Sequence, residues 1–258
     1  MPDPSSNDRV VDALRAAGCV FAEEEAEVLR GEARTRGHLE LMLARRVRGE
    51  PLEQVVGWAE FCGLRVAVAP GVFVPRRRSE LLVDLAVEHL REQRVPVVVD
   101  LCCGTGALGL AVADSVRALD LHAADVDPAA TAVARRNLGE ERVHEGDLYD
   151  ALPPALAGQV DVLVVNAPYV PSEEIALMPP EARDHEHLVA LDGGVDGLDL
   201  HRRVAAGAPD WLRPGGVLLL ETSTRQAEET RAACGLAGLR SEVVTREETM
   251  STAVRAWA

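Results

Sequence analysis

Two short stretches bring together residue types that can do chemistry side by side. The first is Val97-Val98-Val99-Asp100-Leu101-Cys102-Cys103-Gly104-Thr105-Gly106. Its glycines let the backbone turn tightly and approach a ligand with no Cβ in the way, and a helix beginning at once aims its free N–H groups at the same point. A ligand with an anionic end fits there, and Asp100 suits one that also carries an amino group. The second stretch is Val162-Leu163-Val164-Val165-Asn166-Ala167-Pro168-Tyr169. The Asn166 side chain can accept from an N–H and donate to a carbonyl, the complement of a primary amide. Pro168 biases Ala167 away from the helical region, so the Ala167 carbonyl is held in an extended turn and can accept a second N–H. Tyr169 adds a flat face for a planar group.

Two further carboxylates sit at expected strand ends. Asp125 offers two oxygens to the two hydroxyls of a ribose, and Asp147 would reach a nucleobase amine in the same crevice. One alternative stays open on these residues. Gly104-Thr105-Gly106-Ala107-Leu108-Gly109 satisfies GxGxxG with Asp125 about 20 residues on, the pattern of a nicotinamide dinucleotide site and hence of an oxidoreductase. In that pattern, however, the first glycine follows the strand directly. Here Asp100-Leu101-Cys102-Cys103 intervenes, and an acidic group beside a pyrophosphate is repelled.

The elements that must position these residues are legible in the periodicity. From Val97 onward strands alternate with helices, which predicts a largely parallel sheet covered by helices. Strands are expected at Val97–Leu101, Leu121–Asp125, Arg142–Glu145, Val160–Asn166, Val217–Glu221, Glu242–Thr245 and Thr252–Trp257. Helices are expected at Ala107–Val116, Pro128–Leu138, Leu198–Leu212 and Gln226–Leu236. Val170 to Asp196 lacks periodicity, and a loop of that length in a compact domain is usually functional. Upstream, Asp8 can cap a helix ending near Gly18, Ala22–Arg30 forms another, and Leu39, Met42, Leu43 and Val47 recur at helical spacing before Gly49 and Pro51. Between Trp58 and Pro75 the period becomes two, with Leu64, Val66 and Val68 alternating and Pro70-Gly71 as the turn of a hairpin. Ser79 offers an N-cap to a helix carrying Leu81, Leu82, Leu85 and Leu90. The division expected is 1–57 helical, 58–78 hairpin connector and 79–258 catalytic.

Composition narrows the function. The 258 residues carry 27 Lys plus Arg against 42 Asp plus Glu, a net charge of −15, with only 3% aromatics. A strongly acidic chain without stacking rings is not expected to take nucleic acid as its primary ligand. No apolar run approaches the roughly 18 residues of a membrane span. Met1 to Val10 has neither a basic nor an apolar leader region, so a cytoplasmic protein is expected, with a monomer as the default state. Five cysteines without CxxC spacing suggest neither a disulfide framework nor a metal site. His185 and His187, two apart, read as surface residues, Cys103 as a packing residue, and Glu221 as a structural or substrate-loop partner.

Taken together, Asp100-Leu101-x-x-Gly104-x-Gly106 and Asn166-x-Pro168-Tyr169 resemble the class I S-adenosylmethionine-dependent methyltransferases that act on planar nitrogen. More narrowly, the chain resembles the HemK/PrmC family, which methylates the glutamine amide in the Gly-Gly-Gln loop of peptide-chain release factors. Arg45-Arg46-x-x-Gly49-Glu50-Pro51-Leu52, Glu60-Phe61-x-Gly63-Leu64, Val74-Pro75-Arg76-x-x-Ser79-Glu80 and Ala190-Leu191-Asp192-Gly193-Gly194-x-Asp196-Gly197-Leu198 extend the resemblance over nearly the whole chain. It departs from the family at Ala167, Cys102, Arg77 and His187, where the usual residues are Pro, Gly, Pro and Pro. The resemblance implies a Rossmann-like α/β fold with a seven-stranded, mostly parallel sheet, a small N-terminal helical domain that recognises the substrate, and a β-hairpin connector. It implies S-adenosyl-L-methionine as donor, leaving S-adenosyl-L-homocysteine, and a release factor as partner; the alternative is a methyltransferase of the same fold acting on a different protein or a small metabolite. The implied catalytic residues are Asn166, Ala167, Pro168 and Tyr169. Asp100, Cys102, Gly104, Thr105, Gly106, Asp125, Asp147 and Asn166 are the implied donor ligands, and Asn166, Tyr169 and Glu186 the implied substrate ligands.

Overall fold

Residues 4–91 and 93–258 are described by a computed structural model; Met1 to Asp3, part of the opening read above for a leader, lie outside the described residues. Four helices come first: α1 (Pro4–Ala16), α2 (Ala22–Glu32), α3 (Arg36–Val47) and α4 (Leu52–Val56). Their apolar faces meet in a small core of Val10, Leu14, Ala22, Ala26, Leu29, Met42 and Val55. Thr35 caps α3, its hydroxyl accepting the His38 N–H at 3.1 Å. α1 begins at Pro4, which places Asp8 inside the helix and not at its expected start.

The hairpin pairs β1 (Trp58–Phe61) with β2 (Leu64–Ala67). Its turn is Cys62-Gly63, both left-handed at φ +50° and +74°, the geometry that matches strand twist in a two-residue connection. Pro70-Gly71 was the expected turn; instead it leads into an extended segment whose Gly71 bridges to Glu186. Ser79 does not cap α5 (Glu80–Leu90): it has helical φ and ψ itself, and its side chain makes no capping hydrogen bond.

The sheet contains β3 (Val97–Leu101), β4 (Asp120–Asp125), β5 (Val143–Glu145), β6 (Val160–Val165), β7 (Leu212–Glu221), β8 (Arg240–Arg246) and β9 (Ser251–Trp257). Their order is β5-β4-β3-β6-β7-β9-β8. The first five run parallel, and β9 is antiparallel to both its neighbours. Every residue of β6 is buried, as an apolar run between two helical layers requires. One face carries α5, α6 (Ala107–Ser115) and α7 (Pro128–Leu138), which close over Val98, Val162, Val164 and Leu219. The other carries α9 (Asp199–Trp211) and α10 (Ala227–Leu236) over Val99, Leu163, Leu218 and Leu220. Strand β7 starts at Leu212, ahead of the expected Val217, and Asn166 lies just beyond β6.

The stretch from Val170 to Asp196 is built rather than loose. It holds 3₁₀ turns at Ser172–Leu177 and Leu188–Ala190 around α8 (Pro180–His185), and Val170 bridges Asp192. It is tied to the helical unit by Arg46, whose guanidinium pairs with Glu25 and with Glu181 of α8, both at 2.6 Å. Among the described residues no helix is long and apolar enough to cross a membrane.

Candidate active site

The strand order reverses between β3 and β6, and in open α/β sheets the crevice at such a point, outside the carboxyl ends of the strands, is where ligands bind. A cavity of about 360 Å³ opens there. Cys102, Cys103, Gly104 and Thr105 line one side, Asp125, Val126, Asp127 and Asp147 another, and Asn166 through Val170 a third. Most of the residues singled out from the sequence therefore line one cavity.

The loop after β3 is anchored to β4. Cys103 N–H donates to the Ala124 carbonyl at 3.0 Å, and Gly104 N–H donates to Asp125 Oδ2 at 2.8 Å. Asp125 Oδ1 accepts the Asp127 N–H at 2.9 Å. Burial raises the Asp125 carboxyl despite those backbone donors; each oxygen keeps a further lone pair for a ligand. Cys102 takes a left-handed φ of +58°, the conformation that glycine adopts without strain. Cys103 is buried, and burial pushes its thiol far up, which suits packing rather than nucleophilic attack.

Three expected ligands lie outside the wall. Asp100 sits behind the glycine loop, fully buried, with Oδ2 accepting the Gly109 N–H at 2.8 Å. Its Oδ1 has no partner among the described residues, and burial raises its carboxyl to about 8. Gly106 precedes α6 in a left-handed conformation, where a Cβ would run into Leu138, and is not among the residues lining the cavity. Glu186 is buried at the domain junction, accepting the Val74 N–H at 3.2 Å and pairing with Arg76 at 2.6 Å. Both donors meet Oε1, which ties the connector to the long segment; Oε2 has no partner among the described residues, and Glu186 is not among the residues lining the cavity.

The Asn166-Ala167-Pro168-Tyr169 turn is held from several sides. Asn166 Nδ2 faces the Ser79 hydroxyl at 3.4 Å. The Ala167 carbonyl accepts no hydrogen bond among the described residues. Tyr169 O–H donates to Glu221 Oε1 at 3.2 Å, and Arg78 Nε donates to the same oxygen at 2.9 Å while its guanidinium stands over the Tyr169 ring at 6.0 Å. Burial and the Glu221 charge push the Tyr169 phenol up to about 12. The Tyr169 carbonyl accepts from Gln226 Nε2 at 2.9 Å, and Gly197 presses on that carbonyl where any Cβ would overlap it.

Sequence reasoning missed Arg78, Gln226 and Arg203. Arg78 and Arg203 line the cavity, and Arg203 pairs with the half-exposed Asp147 at 2.7 Å. Arg78 was visible only as one of three consecutive arginines, and its partner stands 143 residues away.

Residues 63–178 match the family model described as the methyltransferase small domain. A release factor glutamine methyltransferase of Streptomyces coelicolor is 43% identical over 189 residues, which is 72% of this chain and 67% of that protein. A 4-amino-L-phenylalanine/4-methylamino-L-phenylalanine methyltransferase of Streptomyces pristinaespiralis is 39% identical over 189 residues, 70% of this chain and 64% of that protein. The matched segment thus spans about two thirds of either relative. Among solved structures, a methyltransferase from Pyrococcus furiosus superposes with a TM-score of 0.54 at 17% identity, covering 83% of this chain and 95% of that one, a likeness of fold. The seven-stranded sheet, the glycine loop and the relatives together place the chain in the release factor glutamine methyltransferase family of S-adenosylmethionine-dependent enzymes.

Proposed function

We propose that the protein methylates the side-chain amide nitrogen of a glutamine, in the Gly-Gly-Gln loop of a peptide-chain release factor. One observation carries the reading: Asn166 and an Ala167 carbonyl that accepts no hydrogen bond among the described residues line the same cavity as the glycine loop.

The residues fit S-adenosyl-L-methionine. Asp125 has lone pairs left for ribose hydroxyls, Cys102, Gly104 and Thr105 offer loop backbone, and Asp147, shared with Arg203, faces the same cavity. Asp100 supports this set from behind by fixing the start of α6 through Gly109. When bound, the donor supplies a methyl group on a sulfonium, activated enough that placement of the acceptor is the main task left to the protein. An amide nitrogen is a poor nucleophile because its lone pair is delocalised into the carbonyl. Asn166 Oδ1 and the Ala167 carbonyl would accept its two N–H bonds, fixing the nitrogen with its lone pair toward the methyl group, a gain of the proximity kind. Pro168 stiffens the turn, and Tyr169 sets the plane of the amide. No strong general base is needed in this arrangement, since the nitrogen proton becomes acidic as the new bond forms.

In this reading residues 1–57 grip the protein substrate, 58–78 connect, and 79–258 hold the chemistry, working as a cytoplasmic monomer with no nucleic acid as ligand. The S. pristinaespiralis relative supports a second reading in which the acceptor is an amine on a small aromatic amino acid. Thermal shift tests the donor: S-adenosyl-L-methionine should raise Tm and a nicotinamide dinucleotide should not. The reverse result would return the protein to the oxidoreductases.

A further inference from the structure

His187 joins three pieces of the cavity rim that are distant in the sequence. Its Nδ1 lies 2.6 Å from Asp127 Oδ2; a carboxylate can only accept, so the ring nitrogen donates. Its backbone N–H donates to the Gly71 carbonyl at 2.7 Å. Its ring sits against Gly71, where a Cβ would overlap the imidazole. Asp127 is itself in the cavity wall, and its amide donates to Asp125 while its carboxylate caps α7 at Ala129. Two residues past His187 the chain supplies Val189, Ala190 and Leu191 to the opposite wall, and one residue past Gly71 the connector supplies Val72 and Phe73.

From this we infer that His187 is a clasp for the donor site, joining the β4–α7 turn to the long segment so that the rim stays shut over a ligand held by Asp125. The inference rests on the donor assignment above and concerns a positioning residue. The ring touches Asp127 and not the reacting atoms. Breaking the clasp frees the turn that presents Asp125 and parts the two walls, which speeds escape of a bound ligand and leaves the fold intact, because half of the imidazole already faces solvent.

The test is the dissociation rate of S-adenosyl-L-homocysteine from the full chain, measured by surface plasmon resonance for wild type, His187→Ala, His187→Gln and Asp127→Asn. His187→Ala should raise the rate by about fivefold, the scale of one hydrogen bond lost. His187→Gln, which keeps an N–H donor at the end of the side chain, should recover part of the loss. In Asp127→Asn the amide oxygen still caps α7 while the charge on the clasp is gone, and the rate should again rise. Equal rates in wild type, His187→Ala and Asp127→Asn would overturn the clasp while leaving donor binding in place. Absence of binding by the wild type would overturn the donor assignment and the clasp with it.

Discussion

Tyr169 and Glu221, 52 residues apart in the chain, meet in a hydrogen bond of 3.2 Å from the phenol to the carboxylate. Arg78 donates to the same oxygen, so the ring at the acceptor end of the cavity is fixed by a charge pair and not by packing alone. Tyr169→Phe keeps the ring and loses this bond. A hydrogen bond to a charged group contributes roughly 1.5–3 kcal/mol, so activity should fall by about tenfold or more while donor affinity stays constant. Methylation rate and donor Kd, measured on the same variant, check the split.

Arg78→Met addresses the other arm of that contact. Glu221 is buried, with Oε2 already lacking a partner. Losing Arg78 would strand its charge. A fully buried pair broken this way costs about 3–5 kcal/mol; the Arg78 side chain is 41% exposed, so about 2 kcal/mol is the expected loss. Urea unfolding of the variant measures it, and a stability equal to wild type would remove Arg78 from the account.

Asp100 makes stability depend on pH in a direction opposite to that of a salt-bridged carboxylate. Its pKa rises from 3.8 to about 8 on folding because burial penalises the charge. Between those values the folded state holds a proton that the unfolded chain releases, so the native state binds more protons and stability falls as pH rises through this window. Asp125 and Glu186, also raised by burial, act in the same direction. Asp100→Asn removes one titration and keeps an acceptor for Gly109. The Tm difference between wild type and Asp100→Asn should therefore shift against the wild type from about pH 5 to about pH 8. A difference independent of pH would contradict the buried, protonated state.

Gly197 and Cys102 test the backbone. At φ +78° and against the Tyr169 carbonyl, Gly197 has room for no side chain. Gly197→Ala should displace the Tyr169 turn, lowering Tm and cutting activity by at least about a hundredfold, the scale of losing a preorganised polar group. At Cys102 the left-handed backbone tolerates glycine and penalises a β-branched residue by about 1–2 kcal/mol. Cys102→Gly should keep donor affinity and Cys102→Val should weaken it. Isothermal titration with S-adenosyl-L-homocysteine separates the two.

The parts of this site that follow from local chemistry were legible in the sequence, and the parts made by long-range packing were not. The buried run Val160–Val165, the glycine loop and the Asn166 turn each carry their own signature, so the parallel strands and the loops that follow β3 and β6 could be placed. Pro128 after Asp127 announced the start of α7, where the Asp127 side chain accepts the Ala129 N–H at 2.9 Å. Ser79 misled because a residue of capping type with helical dihedrals cannot cap. The hairpin turn was misplaced because Cys62 adopts a left-handed φ without the Asn or Asp that usually signals one. The contacts of Glu186 Oε1 with Val74 and Arg76 were not legible, since they run across 112 and 110 residues of sequence. Asp100 read correctly as a strand-end acid, but its side chain turns back under α6 rather than into the cavity.

The most direct measurement is intact-mass analysis of the organism's own unmethylated release factors after incubation with the protein and S-adenosyl-L-methionine, with Asn166→Ala alongside. The expected result is a gain of one methyl group, mapped by peptide fragmentation to the glutamine of the Gly-Gly-Gln loop. The Asn166→Ala protein should give no gain while binding donor nearly as well as wild type. An unmodified release factor in a reaction where donor binding is demonstrated would contradict the proposed acceptor and turn the search to aromatic amines. A fully active Asn166→Ala would contradict the catalytic assignment itself.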